Sequence, residues 1–293
     1  MRVHLWSAFL APKRDPVPLH PTTMPIDSFL ERLFSLKDKT ALVTGASGGL
    51  GRAMTVALAG AGARVGIHGT KADKLEETRL AVEQVGGDGV VLSASFEDAA
   101  QCQKLAADAQ SALGRIDILL NCAGTNRRKL IDTVTQEEFD WIIGVNLRSA
   151  FFLSQAVHPR MRQQGGGKII NIGSMTSTLG FANLSVYGMT KSALAQATKT
   201  MAIEWAADNI QVNCVAPGFM HTPLTEEYYW KDPHRSRWMY ERIPARRAGL
   251  PEDLAGIVVW LASPASSYVT GQVIAVDGGF TAGGSWEQAS GSR

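Results

Sequence analysis

The sequence predicts an α/β fold: one domain on a doubly wound, seven-stranded parallel sheet. Three observations carry that expectation. Short apolar runs of strand length alternate with longer helical segments from Thr40 to Val276. Those runs are continuous rather than alternating in polarity, as strands covered on both faces should be. Glycines and polar residues recur at the carboxyl ends of the runs, the edge at which open parallel sheets bind ligands.

The elements follow in order. Ile26 to Phe34 reads as a short amphipathic helix that Asp27 or Ser28 can cap. Thr40 to Thr44 is the first strand, and Gly45-Ala46-Ser47-Gly48-Gly49-Leu50-Gly51 follows at once. Arg52 to Ala61 is a helix stopped by Gly62, and Ala63 to His68 is the second strand. Strand, glycine loop, helix and strand together form the Rossmann-type βαβ unit. Lys71 to Val85 is helical up to Gly86-Gly87, Val90 to Ser93 is a strand, and Asp98 to Leu113 is a helix ended by Gly114. Ile116 to Asn121 is the fourth strand. Thr135 caps a helix, with Glu138 completing a capping box, and the helix continues towards Met161. Lys168 to Ile172 is a strand, Ser185 to Ala206 a long helix, Gln211 to Val215 a strand, Pro251 to Leu261 a helix and Val273 to Val276 the last strand.

Residues 26–280 thus form one domain, with a long insertion at about 219–249. Residues 281–293, rich in Gly and Ser, read as a flexible tail. Residues 1–25 carry Arg2, Lys13 and Arg14, four closely spaced prolines from Pro12 to Pro21, and a short apolar patch that ends in Pro-Lys-Arg. They lack the layout of a secretory signal. A weak organelle-targeting signal stays open beside the favoured reading, a disordered or non-native extension with the working start at Met24.

Composition excludes several classes of function. The net charge is only +2 and the basic residues are scattered, so no nucleic-acid surface is expected. No apolar run approaches the ~20 residues of a membrane span. Cys102, Cys122 and Cys214 are odd in number and lack metal-ligand spacing. They read as free thiols in a reducing, cytoplasmic setting, with no bound metal.

Two stretches carry chemistry. Gly45, Gly49 and Gly51 let the backbone approach a pyrophosphate, while the following helix offers free N–H groups and the positive end of its dipole. Tyr187 and Lys191 lie four apart, hence on one helical face. An ammonium beside a phenol favours the phenolate and lowers a pKa that is ~10 in water. A tyrosine so tuned can exchange a proton with a substrate oxygen. Taken alone, the pair reads more readily as a packed tyrosine and a solvated lysine.

From about Leu36 to Phe280 the chain closely resembles the short-chain dehydrogenase/reductase family. The likeness rests on Thr44-Gly45-Ala46-Ser47-Gly48-Gly49-Leu50-Gly51, on Asn121-Cys122-Ala123-Gly124, on Asn146 in Gly-Val-Asn-Leu, on Ser174 thirteen residues before Tyr187, and on Tyr187 with Lys191. The resemblance implies that Tyr187 is the general acid in reduction and the general base in oxidation. It implies that Lys191 holds the nicotinamide ribose and depresses the Tyr187 pKa, that Ser174 binds the substrate oxygen, and that Asn146 positions a water in a proton relay. It also implies cofactor contacts from Gly45, Ser47, Gly48, Gly49, Leu50, Gly51, Thr70, Lys71, Ser95, Phe96, Asn121, Ala123, Gly124, Tyr187, Lys191, Pro217, Gly218, Met220 and Thr222, and assembly as a homotetramer.

Between cofactors, the residues lean to NADP(H), with NAD(H) possible. Ile67-His68-Gly69-Thr70-Lys71 lacks the acid that binds a ribose 2′-hydroxyl, and His68, Thr70 and Lys71 could receive a 2′-phosphate. Lys71 could equally be no more than an exposed helix start. Ser95-Phe96 stands where the family usually has Asp and a hydrophobic residue. For the substrate, Arg127 and Arg128 could fork a carboxylate or pair with Asp132 or a loop acid. Tyr228, Tyr229, Trp230, Trp238 and Tyr240 make the insertion at about 219–249 aromatic, and the resemblance implies that it is a lid over the substrate, with a subunit contact as the alternative. These features most resemble gluconate 5-dehydrogenases and 2-dehydro-3-deoxygluconate 5-dehydrogenases, and the expected reaction interconverts a secondary alcohol and a ketone on a small sugar acid. A 3-oxoacyl-thioester reductase and a non-catalytic nucleotide-binding scaffold are the alternatives.

Overall fold

In a computed structural model, residues 26–96 and 98–283 are described. The expected N-terminal extension, and the tail from residue 284, lie outside them. The elements run α1 (Ile26–Phe34), β1 (Thr40–Thr44), α2 (Gly49–Gly60), β2 (Arg64–Gly69), α3 (Ala72–Gln84), β3 (Gly89–Ser93), α4 (Ala99–Leu113) and β4 (Ile118–Asn121). They continue with α5 (Gln136–Ile143), α6 (Ser149–Gln163), β5 (Gly167–Ile172), α7 (Ser185–Trp205) and β6 (Ile210–Pro217). Last come α8 (Pro223–Thr225), α9 (Pro233–Arg242), α10 (Ala255–Ala262) and β7 (Val273–Val276).

All seven strands pair in parallel, in the order β3-β2-β1-β4-β5-β6-β7. Alternate residues of each strand feed opposite cores. Ala41, Val43, Val65, Ile67 and Leu120 pack with α2 and α10 on one side, through Met54, Leu58, Val258 and Leu261. Leu42, Leu119, Ile169 and Val212 pack with α4, α6 and α7 on the other, through Leu105, Ala109, Leu153 and Met201. Burial on both faces is why the central strands are rich in apolar residues. The register sets Thr44 beside Asn121 and Asn121 beside Asn171, so β1, β4 and β5 end in one row.

Three elements depart from expectation. The helix expected to run unbroken from Thr135 towards Met161 starts with its capping box but is split by a π-turn at Gly144–Arg148. Strand β4 begins at Ile118 because Asp117 turns to accept a hydrogen bond from the Thr40 N–H at 3.0 Å and pairs with Arg115. Pro251–Leu254 forms a 3-10 turn before α10.

Candidate active site

The glycine loop is shaped by close backbone contacts. Gly45 has φ +69°, and a Cβ there would lie 2.7 Å from the Cα of Ala123. A Cβ on Gly51 would lie 2.0 Å from the Gly45 carbonyl oxygen. By contrast, a Cβ on Gly48 would meet nothing within 4 Å. Gly48 also caps α2 without a side chain, so the first N–H groups of the helix receive no side-chain cap. An open glycine cradle at an uncapped helix N-terminus fits a pyrophosphate. Thr222, buried, lies against the loop at Gly49, and Thr44 Oγ1 accepts from the Cys122 and Ala123 N–H groups, both at 3.1 Å. Thr44 was not foreseen as a site residue. Only its pairing across the β1–β4 gap reveals it.

Gly69, Thr70 and Lys71 close β2 and cap α3, with Thr70 and Lys71 exposed. His68 beneath them is buried among apolar groups, with its ring 4.7 Å from that of Phe96. Burial lowers its pKa to about 4, so it is a neutral core residue and not a phosphate ligand. The sequence expectation for His68 is corrected on that ground. Asn121 likewise turns inward. Its Nδ2 donates to Ser154 Oγ at 3.0 Å and to Asn171 Oδ1 at 2.9 Å, and Asn171 donates on to Thr198. Its side chain ties β4 to β5 and α6, and only its backbone stands at the sheet edge. Pro217 ends β6, and Gly218 must be small because a Cβ there would lie 2.6 Å from the Cβ of Asp277. Met220 is buried under the insertion, where its carbonyl accepts from Thr225 at 2.7 Å.

Ser174, Tyr187, Lys191 and Asn146 converge beyond β4 and β5. Ser174 follows β5 and accepts from the Thr176 N–H at 3.1 Å. Tyr187 and Lys191 occupy the first two turns of α7. The Lys191 ammonium donates to the Ile172 carbonyl at 2.7 Å and stands 5.7 Å from the Tyr187 ring centre. Asn146 sits in the π-turn. Its Oδ1 accepts from the Thr125 N–H at 2.7 Å, and its Nδ2 donates to the Thr125 carbonyl at 2.9 Å and to Thr190 Oγ1 at 3.2 Å. Thr190 in turn donates to the Tyr187 carbonyl at 2.7 Å. Asn146 therefore clasps the loop after β4 to the helix of Tyr187. A residue in a π-turn of this kind is a recurrent mark of a functional site.

The electrostatics differ from the sequence expectation. Burial pushes the Tyr187 phenol above its ordinary value, while the hydrogen bond with Ser174 and the charge of Arg128 pull it down. Burial pushes the Lys191 ammonium below its ordinary value. The expected depression of Tyr187 by Lys191 is corrected here: the ammonium is turned to the Ile172 carbonyl, and Arg128 is the cation that acts on the phenol.

Arg127 and Arg128 diverge. Arg127 is exposed and stacks on Trp141 at 5.1 Å. Arg128 turns inward, with its guanidinium 4.2 Å from the Tyr228 ring centre and 4.8 Å from that of Tyr229. Neither makes an ion pair with a described carboxylate, so the expected pairing with Asp132 is absent among the described residues. The Nε of Arg128 is buried without a hydrogen-bond partner. The insertion above it has its own small core of Met175, Phe219, Met239 and Ile243, wrapped by Phe181, Trp238 and Phe280.

A glycine cradle at one edge of a parallel sheet, with Ser174, Tyr187 and Lys191 gathered beyond the same edge, fits a nicotinamide-dependent oxidoreductase acting on CH–OH groups. The family model described as enoyl-(acyl carrier protein) reductase matches residues 45–281. The chain is 43% identical over 258 residues to a tropinone reductase homologue of Arabidopsis thaliana, covering 87% of this chain and 96% of that one. It is 43% identical over 250 residues to a 2-dehydro-3-deoxy-D-gluconate 5-dehydrogenase of Dickeya dadantii, covering 85% and 98%. The crystal structure of a gluconate 5-dehydrogenase of Burkholderia cenocepacia, in complex with NADP and tartrate, superposes with a TM-score of 0.83 at 34% identity, covering 87% and 99%. The chain belongs to the short-chain dehydrogenase/reductase family.

Proposed function

We propose that the protein interconverts a secondary alcohol and a ketone on a sugar acid, of gluconate or 3-deoxygluconate type, with NADP(H). The observation that carries the substrate class is Arg128. Its guanidinium is partly desolvated, lacks a carboxylate among the described residues, and lies close enough to act on Tyr187. A carboxylate on the substrate would complete it. The relatives named for 2-dehydro-3-deoxygluconate and gluconate support the same class.

The geometry supports the following roles. Gly45, Ser47, Gly48, Gly49, Leu50 and Gly51 would hold the dinucleotide phosphates, with Ala123, Gly124, Thr222 and the backbone of Asn121 beside them. Thr70 and Lys71, exposed where β2 ends without an acid, would face a ribose 2′-phosphate, and the NADP complex of the Burkholderia relative supports that choice. The bound nicotinamide supplies or accepts the hydride. Ser174 holds the substrate oxygen. Tyr187 gives that oxygen a proton in reduction and takes it in oxidation. A phenol held above its ordinary pKa stays protonated at neutral pH, as the acid of the reductive direction requires. Lys191 and Asn146 line the route behind it.

Assembly as a homotetramer is supported by large apolar side chains on the outer faces, Phe151 on α6, Ile203 on α7 at 80% exposure, and Tyr268 before β7 at 102%. Three free cysteines suit a reducing, cytoplasmic setting, and no described helix is long and apolar enough to cross a membrane. The test is a panel of sugar acids, neutral sugars and acyl thioesters, run in both directions with NADP(H) and NAD(H). Sugar acids with NADP(H) are expected to give the highest kcat/KM. Preference for an acyl thioester, or for NAD(H), would overturn the corresponding half of the proposal.

A further inference from the structure

Arg128 does not stand alone. Its guanidinium rests in the corner between Tyr228 and Tyr229, whose ring centres are 4.9 Å apart at 82°. These tyrosines lie in a π-turn, Glu226–Trp230, so two neighbouring rings can face one cation. A second guanidinium, that of Arg235, approaches Tyr228 at 4.1 Å. Arg235 is anchored twice, by donation to the Tyr228 carbonyl at 3.0 Å and by pairing with Asp232, the N-cap of α9. Tyr229 is packed from behind by Phe219, with ring centres 5.5 Å apart.

Aromatic faces attract a guanidinium but leave its N–H groups unsatisfied. A carboxylate at the same place would satisfy those N–H groups but would draw a loosely held side chain out of line. The stack therefore meets two requirements together. It fixes the plane of the guanidinium, and it leaves the terminal N–H groups without a carboxylate among the described residues, while the Nε stays buried.

We infer that Tyr228, braced by Arg235, is a positioning residue that holds Arg128 ready for the substrate carboxylate, so that the insertion reads the charge of the substrate and not only its size. This deepens the sugar-acid reading and rests on it. The consequence is specific. Selection between an acid and its neutral counterpart depends on a ring that belongs to the insertion, about a hundred residues from the arginine in sequence.

The test measures binding of D-gluconate and of D-glucitol, which lacks the carboxylate, by calorimetry. The full-length protein is used as its NADPH complex, in which gluconate cannot be oxidised. Wild type is compared with Tyr228→Leu, Tyr228→Phe, Arg128→Ala and the double variant Arg128→Ala/Tyr228→Leu. Tyr228→Leu is expected to weaken gluconate binding roughly 3- to 30-fold, with glucitol and NADPH affinities unchanged. Tyr228→Phe keeps the ring and should stay within about twofold of wild type. The double variant should bind gluconate no more weakly than Arg128→Ala, because both act through one contact. In turnover, Tyr228→Leu should raise KM for gluconate by more than it lowers kcat. Equal weakening of both ligands, additive losses in the double variant, or no preference of wild type for gluconate over glucitol would overturn the inference. If wild type prefers gluconate in binding but does not oxidise it with NADP, the sugar-acid reading fails and the inference about Tyr228 stands.

Discussion

Replacing Asn146 by alanine should destabilise the fold as well as impair the reaction. The Asn146 side chain makes three hydrogen bonds: one accepted from the Thr125 N–H, one donated to the Thr125 carbonyl and one donated to Thr190 Oγ1. Asn146 is 1% exposed, so alanine leaves those partners without water to replace it. A hydrogen bond contributes about 1 kcal/mol net, and an orphaned buried group costs about 1–3 kcal/mol. The expected loss is about 2–4 kcal/mol. For a domain of this size, about 1 kcal/mol moves Tm by about 2–4 °C, so Asn146→Ala should melt roughly 5–15 °C lower in differential scanning calorimetry. Thr190→Val removes one of the same bonds, so the two substitutions should couple by roughly 0.5–1.5 kcal/mol in a double-mutant cycle. A variant that melts like wild type while losing turnover would refute the reasoning, because the clasp between the β4 loop and α7 would then carry no stability.

Two further predictions concern buried groups. The His68 pKa is about 4 in the folded chain against 6.5 in an unfolded one, so the unfolded chain binds the extra proton between those values. Its contribution is present above pH 6.5 and is lost as pH falls towards 4, by up to about 3 kcal/mol. His68→Phe should therefore flatten the fall in urea midpoint between pH 7 and pH 4.5, and an unchanged slope would contradict the burial argument. Burial pushes the thiols of Cys102, Cys122 and Cys214 up to about 11. Iodoacetamide at pH 7.5 should leave all three unmodified in the native protein and label all three in denaturant, read by mass spectrometry. Rapid native labelling of Cys122 would contradict that.

What was legible in the sequence is what depends on near neighbours. The glycine loop declares itself because Gly45, Gly49 and Gly51 stand between a strand and a helix, and the structure adds the contacts with Ala123 and the Gly45 carbonyl that exclude larger residues. The spacing of Tyr187 and Lys191 and the capping box of Thr135 with Glu138 are equally local. Partners far along the chain were not legible. The inward turn of Asn121 depends on Asn171, fifty residues away. The role of Thr44 depends on the β1–β4 register, and that of Thr190 on Asn146 across the π-turn. Gly144 weakens a helix by propensity but does not by itself call for a π-turn, and the Asn146 bonds to Thr125 and Thr190 that accompany the turn lie far along the chain. The direction of the Tyr187 shift was misread because spacing reveals a neighbouring charge but not the loss of solvent, and here burial is the larger effect. Arg127 and Arg128 looked alike as adjacent residues, and only the insertion distinguishes them.

The central claim is that Tyr187 transfers the proton and that its hydroxyl contributes little to cofactor affinity. Tyr187→Phe tests it most directly, with NADPH affinity followed by fluorescence titration and turnover followed on the same preparation. The account predicts an NADPH affinity within about threefold of wild type and a fall in kcat of at least about 10²-fold, as the loss of a general acid–base group requires. Near-normal turnover with intact cofactor binding would contradict it.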